Sequence, residues 1–389
     1  MLYLLLEATR DWLTDIGAYR FVMVLDQVRF RALFATLLSF LIVVVMGKRV
    51  IRWLVARKVG DIPRTDNAAL DKALASKTNT PTMGGILIAG AILASTLLLA
   101  DVFGNFYVIM SVILIVWMAV LGGFDDYLKL TSASRPQGSR QGLYSWEKLV
   151  FQLGIGLLLG WFTYNHANAE PYLGHVLNLP FWRTYNPSTF LPESSLVYLS
   201  MPVFVVITML MIGGMSNAVN ISDGMDGLAA GCSTLIALAM MILCLIAGNQ
   251  VTSQELLVPY IPGSEELAVV IGAVAGATLG FLWWNCSPAA VFMGDTGSLT
   301  LGGIIGYIAV VIRQEAVVLL MCGIFLIEIG SVVIQVAYFK WTKGKRVFLC
   351  APYHWHLHQS GWPEQKVVSR FWIVTIILIA LGLASLNLR

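Results

Sequence analysis

An all-α integral membrane fold, organised as one polytopic domain over residues 1–389, is what this sequence predicts, and three observations carry the prediction. Of the 389 residues, 58% are hydrophobic and only 12% charged, against about 25% charged in ordinary soluble domains. No core consumes that much apolar side chain, so lipid is the implied solvent. The apolar residues also fall in continuous runs rather than in alternation, which argues against a β-barrel. Lipid satisfies no backbone N–H or C=O, so each run is expected to be a helix.

Ten runs reach or approach the roughly 20 residues that cross a bilayer at about 1.5 Å each. They lie at 30–47, 83–101, 106–123, 149–164, 197–215, 226–247, 267–284, 297–312, 316–338 and 371–387, the fourth and eighth being short. Residues 1–29 read differently. Leu2, Leu4, Leu5, Trp12 and Phe21 alternate with Glu7, Arg10, Asp11 and Asp15, the pattern of an amphipathic helix at the membrane interface rather than of a cleaved signal.

The formal net charge of +3 is too small to point to nucleic acid, and the placement of charge is more informative than its sum. Loop 48–82 carries Lys48, Arg49, Arg52, Arg57, Lys58, Arg64, Lys72 and Lys77; loop 124–148 carries Lys129, Arg135, Arg140 and Lys148; loop 339–370 carries Lys340, Lys343, Lys345, Arg346, Lys366 and Arg370. Loops 102–105 and 248–266 have no Lys or Arg, and 165–196 has only Arg183. Ten spans put the three basic loops on one side, which the positive-inside rule makes cytoplasmic, with both termini periplasmic. The Pro- and aromatic-rich 165–196 reads as a structured surface loop. Cys232, Cys244, Cys286, Cys322 and Cys350 form no C-x-x-C pair and read as small buried hydrophobes rather than a disulfide or metal framework.

Five polar clusters interrupt the apolar chain, all on the predicted cytoplasmic side, where ionisable groups at membrane depth default to function. Thr80-Pro81-Thr82-Met83-Gly84-Gly85 opens the second span, its glycine pair permitting close backbone approach. Asp125-Asp126-Tyr127-Leu128-Lys129 closes the third; its adjacent carboxylates, with Lys129 at i,i+4 and i,i+3, suit a base or a divalent-cation ligand. Asn217, Asn220, Asp223 and Asp226, spaced by three with Gly224 and Gly227 between and after the acids, read as one helical stripe suited to a nucleotide. Asn285 and Phe292-Met293-Gly294-Asp295-Thr296-Gly297-Ser298 follow; Asp295 suits Mg²⁺, which keeps water and substrate phosphate as its other ligands, or the N-cap of the next helix, and Phe292 suits stacking on a base. The fifth, Ala351-Pro352-Tyr353-His354-Trp355-His356-Leu357-His358, lacks the thiolates or H-E-x-x-H of a zinc site and suits phosphate binding or acid–base work. Glu328, alone inside the ninth span, is expected to face protein and hydrogen-bond a neighbouring helix without a catalytic role.

Taken together, T-P-T-M-G-G, D-D-Y-L-K, N-A-V-N-I-S-D-G-M-D-G-L-A, F-L-W-W-N, F-M-G-D-T-G-S-L, R-V-F-L-C-A-P-Y-H and R-F-W-I resemble the cytoplasmic motifs of the phospho-N-acetylmuramoyl-pentapeptide transferases, in order and over the whole chain. The resemblance implies transfer from UDP-N-acetylmuramoyl-pentapeptide to undecaprenyl phosphate with Mg²⁺, giving lipid I and UMP, in the bacterial inner membrane, with a homodimer as a further expectation. It makes Asp295 the magnesium ligand, Asp125 and Asp126 the essential pair and His354 the first histidine of the histidine loop. Asn217, Asn220, Asp223, Asp226, Asn285 and Phe292 fall where the family holds the nucleotide and shapes the site, and Lys77, Lys129, Lys148 and His356 are the further candidates for substrate contact. The chain departs from the family at Trp355, which replaces the middle of three consecutive histidines, at His358, where a glutamate is usual, and at Thr78, where a second basic residue is usual. A transporter would instead scatter acids at mid-span depth, and a relative using UDP-N-acetylglucosamine would share the acidic motifs but not T-P-T-M-G-G or the A-P-x-H loop.

Overall fold

The computed structural model describes residues 1–57, 80–131, 142–166 and 173–388, and Lys77 therefore lies outside the described residues. Every one of the ten expected runs is helical. Three short helices, α1 (Leu2–Ala8), α2 (Arg10–Asp15) and α3 (Tyr19–Val22), precede α4 (Val28–Ala56), α5 (Gly85–Leu99), α6 (Phe106–Leu130) and α7 (Ser145–His166). After a loop pinned by bridges Val176–Tyr198 and Tyr185–Pro192 come α8 (Met201–Ser222), α9 (Leu228–Ala247), the short α10 (Gln250–Glu255), α11 (Leu267–Asn285) and α12 (Gly294–Val311). The chain closes with α13 (Glu315–Met321), α14 (Gly323–Trp341), α15 (Tyr353–Gln359) and α16 (Glu364–Leu386).

Among the described residues, eight helices are long and apolar enough to cross a membrane: α4, α6, α8, α9, α11 with its leading turn, α12, α14 and α16. The protein is thus an all-α, multi-pass membrane protein. The two remaining runs are α5, a shorter apolar helix, and α7, which has full length at 22 residues but mixes Glu147, Lys148, Gln152 and Asn165 into its apolar stretch. The expected ninth span divides at Cys322 into α13 and α14. In the N-terminal segment Trp12, Ile16 and Phe21 are exposed.

Small residues decide how the bundle packs. Lipid offers no hydrophobic drive between helices, so close backbone approach and van der Waals contact hold them together. Gly272, Gly276 and Gly280 form a stripe on α11 against α4, and a Cβ at Gly276 would lie 1.9 Å from the Thr36 carbonyl oxygen. Gly302 and Gly306 do the same for α12 against α8, at 2.2 Å from Met215 O and 2.3 Å from Met211 O. These two glycine-bearing helices are the buried centre, with α9 beside α11, α6 beside α12, α7 on α8, and α16 across α9 and α13. The alternation brings the C-terminal ends of α6, α8 and α11 and the starts of α7, α9, α12 and α16 to one end of the bundle, where the polar clusters meet.

Candidate active site

Neighbouring residues on a helix point about 100° apart, and this splits the acidic pair of α6. Asp126 turns inward. Its Oδ1 accepts the Asp295 N–H at 3.0 Å, and its Oδ2 accepts the Thr296 N–H at 3.0 Å and the Thr296 hydroxyl at 2.7 Å. Asp126 thus caps α12 from another helix, its charge at the positive end of the α12 dipole. The capping role considered for Asp295 falls to Asp126 instead, because Asp295 lies inside the first turn of α12 and its oxygens are taken by Asn220, Lys129 and Lys148. Gly294, at φ +73°, is required here: a Cβ would stand 2.8 Å from Asp126 Oδ2. The T-P-T-M-G-G segment braces the same turn. Gly84 N–H and Gly85 N–H donate to Phe292 O and Met293 O, both at 2.8 Å, and Phe292 N–H donates to Pro81 O at 2.8 Å.

Asp125, about 100° around α6 from Asp126, meets the Asp295 side chain through two lysines. Lys129 Nζ lies 2.8 Å from Asp125 Oδ2 and 3.1 Å from Asp295 Oδ1. Lys148 Nζ, arriving from α7, lies 3.1 Å from Asp125 Oδ2 and 2.8 Å from Asp295 Oδ2. The Leu143 N–H donates to Asp125 Oδ1 at 2.7 Å, and Asn220 Nδ2 donates to Asp295 Oδ1 at 3.0 Å and to Ser298 Oγ at 2.8 Å. The result is a four-membered ring of two carboxylates and two ammoniums. Both acids are buried, whereas the side chains of Lys129 and Lys148 are 33% and 18% exposed. The ammoniums therefore lie nearer solvent than the acids, and a phosphate entering from solvent meets them first.

The other predicted residues part company. The expected stripe holds for Asn217 and Asn220, but α8 ends at Ser222 and Gly227, at φ +79°, turns the chain, so Asp223 and Asp226 leave it. Asn217 Nδ2 donates to Gln152 Oε1 at 2.6 Å and Gly213 O at 2.7 Å. Asp223 sits half-buried at the turn, and burial, with the negative charges of Asp295 and Asp126 nearby, pushes its carboxyl up to about 7. Asp226 and Asn285 tie loops together: Asp226 Oδ2 accepts Ala289 N–H at 3.1 Å and its own N–H donates to Glu364 Oε1 at 2.8 Å. Asn285 Oδ1 accepts Gly227 N–H at 3.0 Å while Nδ2 donates to Val291 O at 2.9 Å. Phe292 is half-buried beside them.

The three histidines of α15 also diverge. His354 is fully buried, its Nδ1 2.9 Å from Glu328 Oε2 and its N–H 3.1 Å from Glu328 Oε1. Its Nε2 packs against the turn at Gly224. His356 Nδ1 accepts the Leu349 N–H at 3.2 Å, and His358 Nδ1 lies 3.0 Å from Trp362 O. Trp355 is buried in the apolar core. Sequence reasoning missed the partnership of Glu328 with His354, and also Gln152 and Thr296; a lone acid inside an apolar span was the one signal for the first.

Beside the lysine ring an apolar groove of about 510 Å³ runs along α6 and α7, lined by Val112, Ile113, Val116, Trp117, Val120, Leu121, Phe124, Leu143 and Phe151. Phe124 precedes Asp125 in the chain and Leu143 donates its N–H to that acid, so the groove ends at the charged cluster.

Two ammoniums between buried carboxylates at one end of a membrane bundle, with an apolar groove beside them, are an arrangement that suits a membrane transferase. Residues 106–313, from α6 past the end of α12, match the family model described as Glycosyl transferase family 4. Over all 389 residues the chain is 39% identical to a phospho-N-acetylmuramoyl-pentapeptide-transferase of Thermodesulfovibrio yellowstonii, covering 100% of each chain. The chain belongs to the phospho-N-acetylmuramoyl-pentapeptide-transferase family, and is a glycosyl-1-phosphate transferase.

Proposed function

We propose that the protein transfers phospho-N-acetylmuramoyl-pentapeptide from its UDP conjugate to undecaprenyl phosphate, forming lipid I and releasing UMP, at the cytoplasmic face of a bacterial inner membrane. The observation that carries this reading is the Asp125–Lys129–Asp295–Lys148 ring at the mouth of an apolar groove: charge for a diphosphate beside a lodging for an isoprenoid tail. The basic loops that adjoin this end support its cytoplasmic placement.

Phosphoryl transfer asks a protein mainly to position groups and to offset charge. An oxygen of the lipid phosphate forms a bond to the sugar-linked phosphorus, and the bond from that phosphorus to the bridging oxygen breaks, leaving the electron pair on UMP. Asp125 orients the attacking phosphate and takes up its proton where it carries one. Lys129 and Lys148 exchange carboxylate oxygens for phosphate oxygens. Asn220 holds the Asp295 carboxylate in place, and Asp126 holds the start of α12 on which Asp295 sits.

No group of three or more His, Cys, Asp or Glu suited to a metal occurs among the described residues. Mg²⁺ needs no such cage, because it takes one or two carboxylates with water and substrate phosphates. Two buried carboxylates that share the same ammoniums fit that donor set: Asp295, with Asp125 facing it, would hold Mg²⁺, which supplies positive charge to the diphosphate and the departing UMP. The test is UMP release by the purified protein given both substrates and Mg²⁺, beside Asp295→Asn. Release that depends on lipid and magnesium and disappears in the variant supports the reading; a silent unmodified protein, under conditions where a known transferase works, overturns it.

A further inference from the structure

Glu328 is a carboxylate in the ninth span with no exposure, and the ion pair it makes among the described residues is with His354, itself without exposure. An ionised carboxylate only accepts hydrogen bonds, and a buried one without a partner is strongly disfavoured. Its two oxygens take the His354 backbone N–H at 3.1 Å and the ring Nδ1 at 2.9 Å, which places the ring hydrogen on Nδ1. The other ring nitrogen, Nε2, is buried and has no hydrogen-bond partner in the described structure. It presses on the turn between Asp223 and Asp226, where Gly224 leaves the room: a Cβ there would stand 2.3 Å from Nε2. An unsatisfied buried nitrogen costs about 1–3 kcal/mol, a cost that a hydrogen-bond partner on a bound substrate would relieve.

We propose that Glu328 is a positioning residue that locks His354 in the Nδ1–H tautomer and aims Nε2 at the Asp223–Asp226 turn, to meet a phosphate oxygen of the nucleotide substrate. This rests on the transferase reading above. The neutral Nδ1–H ring of the free protein offers only a lone pair at Nε2, so as substrate binds the ring takes up a solvent proton there and donates it to that oxygen, the Glu328 carboxylate offsetting the imidazolium charge. The same carboxylate also caps the first turn of α15, so a purely structural role has to be separated from a positioning one.

A double-mutant cycle does so. UMP release is compared for the unmodified protein, Glu328→Gln, His354→Ala and the pair. Glu328→Gln keeps the shape and an acceptor oxygen but not the charge, and is expected to lower kcat by at least about 10-fold, yet to add nothing in the His354→Ala background. Losses that multiply in the double variant overturn the proposal. The second measurement needs no variant to fold: ¹⁵N NMR of histidine-labelled protein is expected to show His354 as the Nδ1–H tautomer, and the Nε2–H tautomer would sink the idea whatever the kinetics. If the unmodified protein releases no UMP, the transferase reading fails while the tautomer still tests the geometry.

Discussion

At the end of the bundle away from the site, Arg31 lies against Glu266 through both guanidinium nitrogens and donates to Leu99 O at 3.0 Å, with the Tyr3 ring 3.9 Å beneath it. Arg313 likewise pairs with Glu315 at 2.8 Å and donates to Val176 O at 3.1 Å. Both arginines are 1% exposed. At the site end, the buried Asp125 and Asp295 are paired just as fully, but with lysines, and each lysine serves both acids. The guanidinium is a rigid fork that matches one carboxylate; an ammonium is a compact charge on a flexible stem that trades partners. Arginine therefore welds the chain away from the site, and lysine holds charge at the site end, where the proposed reaction has a phosphate replace a carboxylate.

Substitutions test that contrast, beginning with the largest effect. Asp125→Asn is expected to lower UMP release by at least about 100-fold, the low end of what a positioned acid or base contributes; a small change would show that the ring is not the reacting centre. Arg31→Gln leaves Glu266 buried and unpaired, which costs about 3–5 kcal/mol, so the thermal midpoint should fall steeply while activity per folded molecule holds. Lys148→Gln should reverse this, with a small thermal shift and at least a 10-fold loss of kcat/KM, about 1.4 kcal/mol in the transition state. Lys148→Arg keeps the charge but not the geometry and should recover little of that activity. If the two positions behave alike, the contrast between weld and exchange fails.

A smaller effect depends on pH. The folded Asp223 carboxyl titrates at about 7, above its ordinary 3.8, so the folded state binds its proton more tightly than the unfolded chain does. Its contribution is whole below about pH 4 and is lost as pH rises through 7. Asp223→Asn should therefore raise the thermal midpoint by a few degrees at pH 8, and the difference from the unmodified protein should vanish near pH 4. A gain that is the same at both pH values would mean that the carboxyl is not held protonated.

What was legible from residues alone follows from local rules. Runs of apolar side chain set the ten helical segments, because lipid forces each backbone group to be satisfied within its own helix. The Gly84-Gly85 pair announced a close approach, and Gly85 does abut Gly297, where a Cβ would be 2.0 Å from its nitrogen. Hydropathy and charge also placed the polar clusters at one end. The division of labour inside that end was not legible, because it depends on partners from distant helices. Asp125 and Asp126 are equivalent as letters; only the position of α12 makes one a cap and leaves the other to the lysines. Asn285 and Asp226, expected beside a nucleotide, also tie turns together, and Glu328, expected to hydrogen-bond a neighbouring helix, does so at His354. The sequence by itself determined which segments are helical and at which end the polar clusters gather, since both follow from period and hydropathy along the chain. Which carboxylate faces which ammonium was decided by the tertiary structure, since a hydrogen bond forms or fails over a few tenths of an ångström and only the packing of the helices sets that distance.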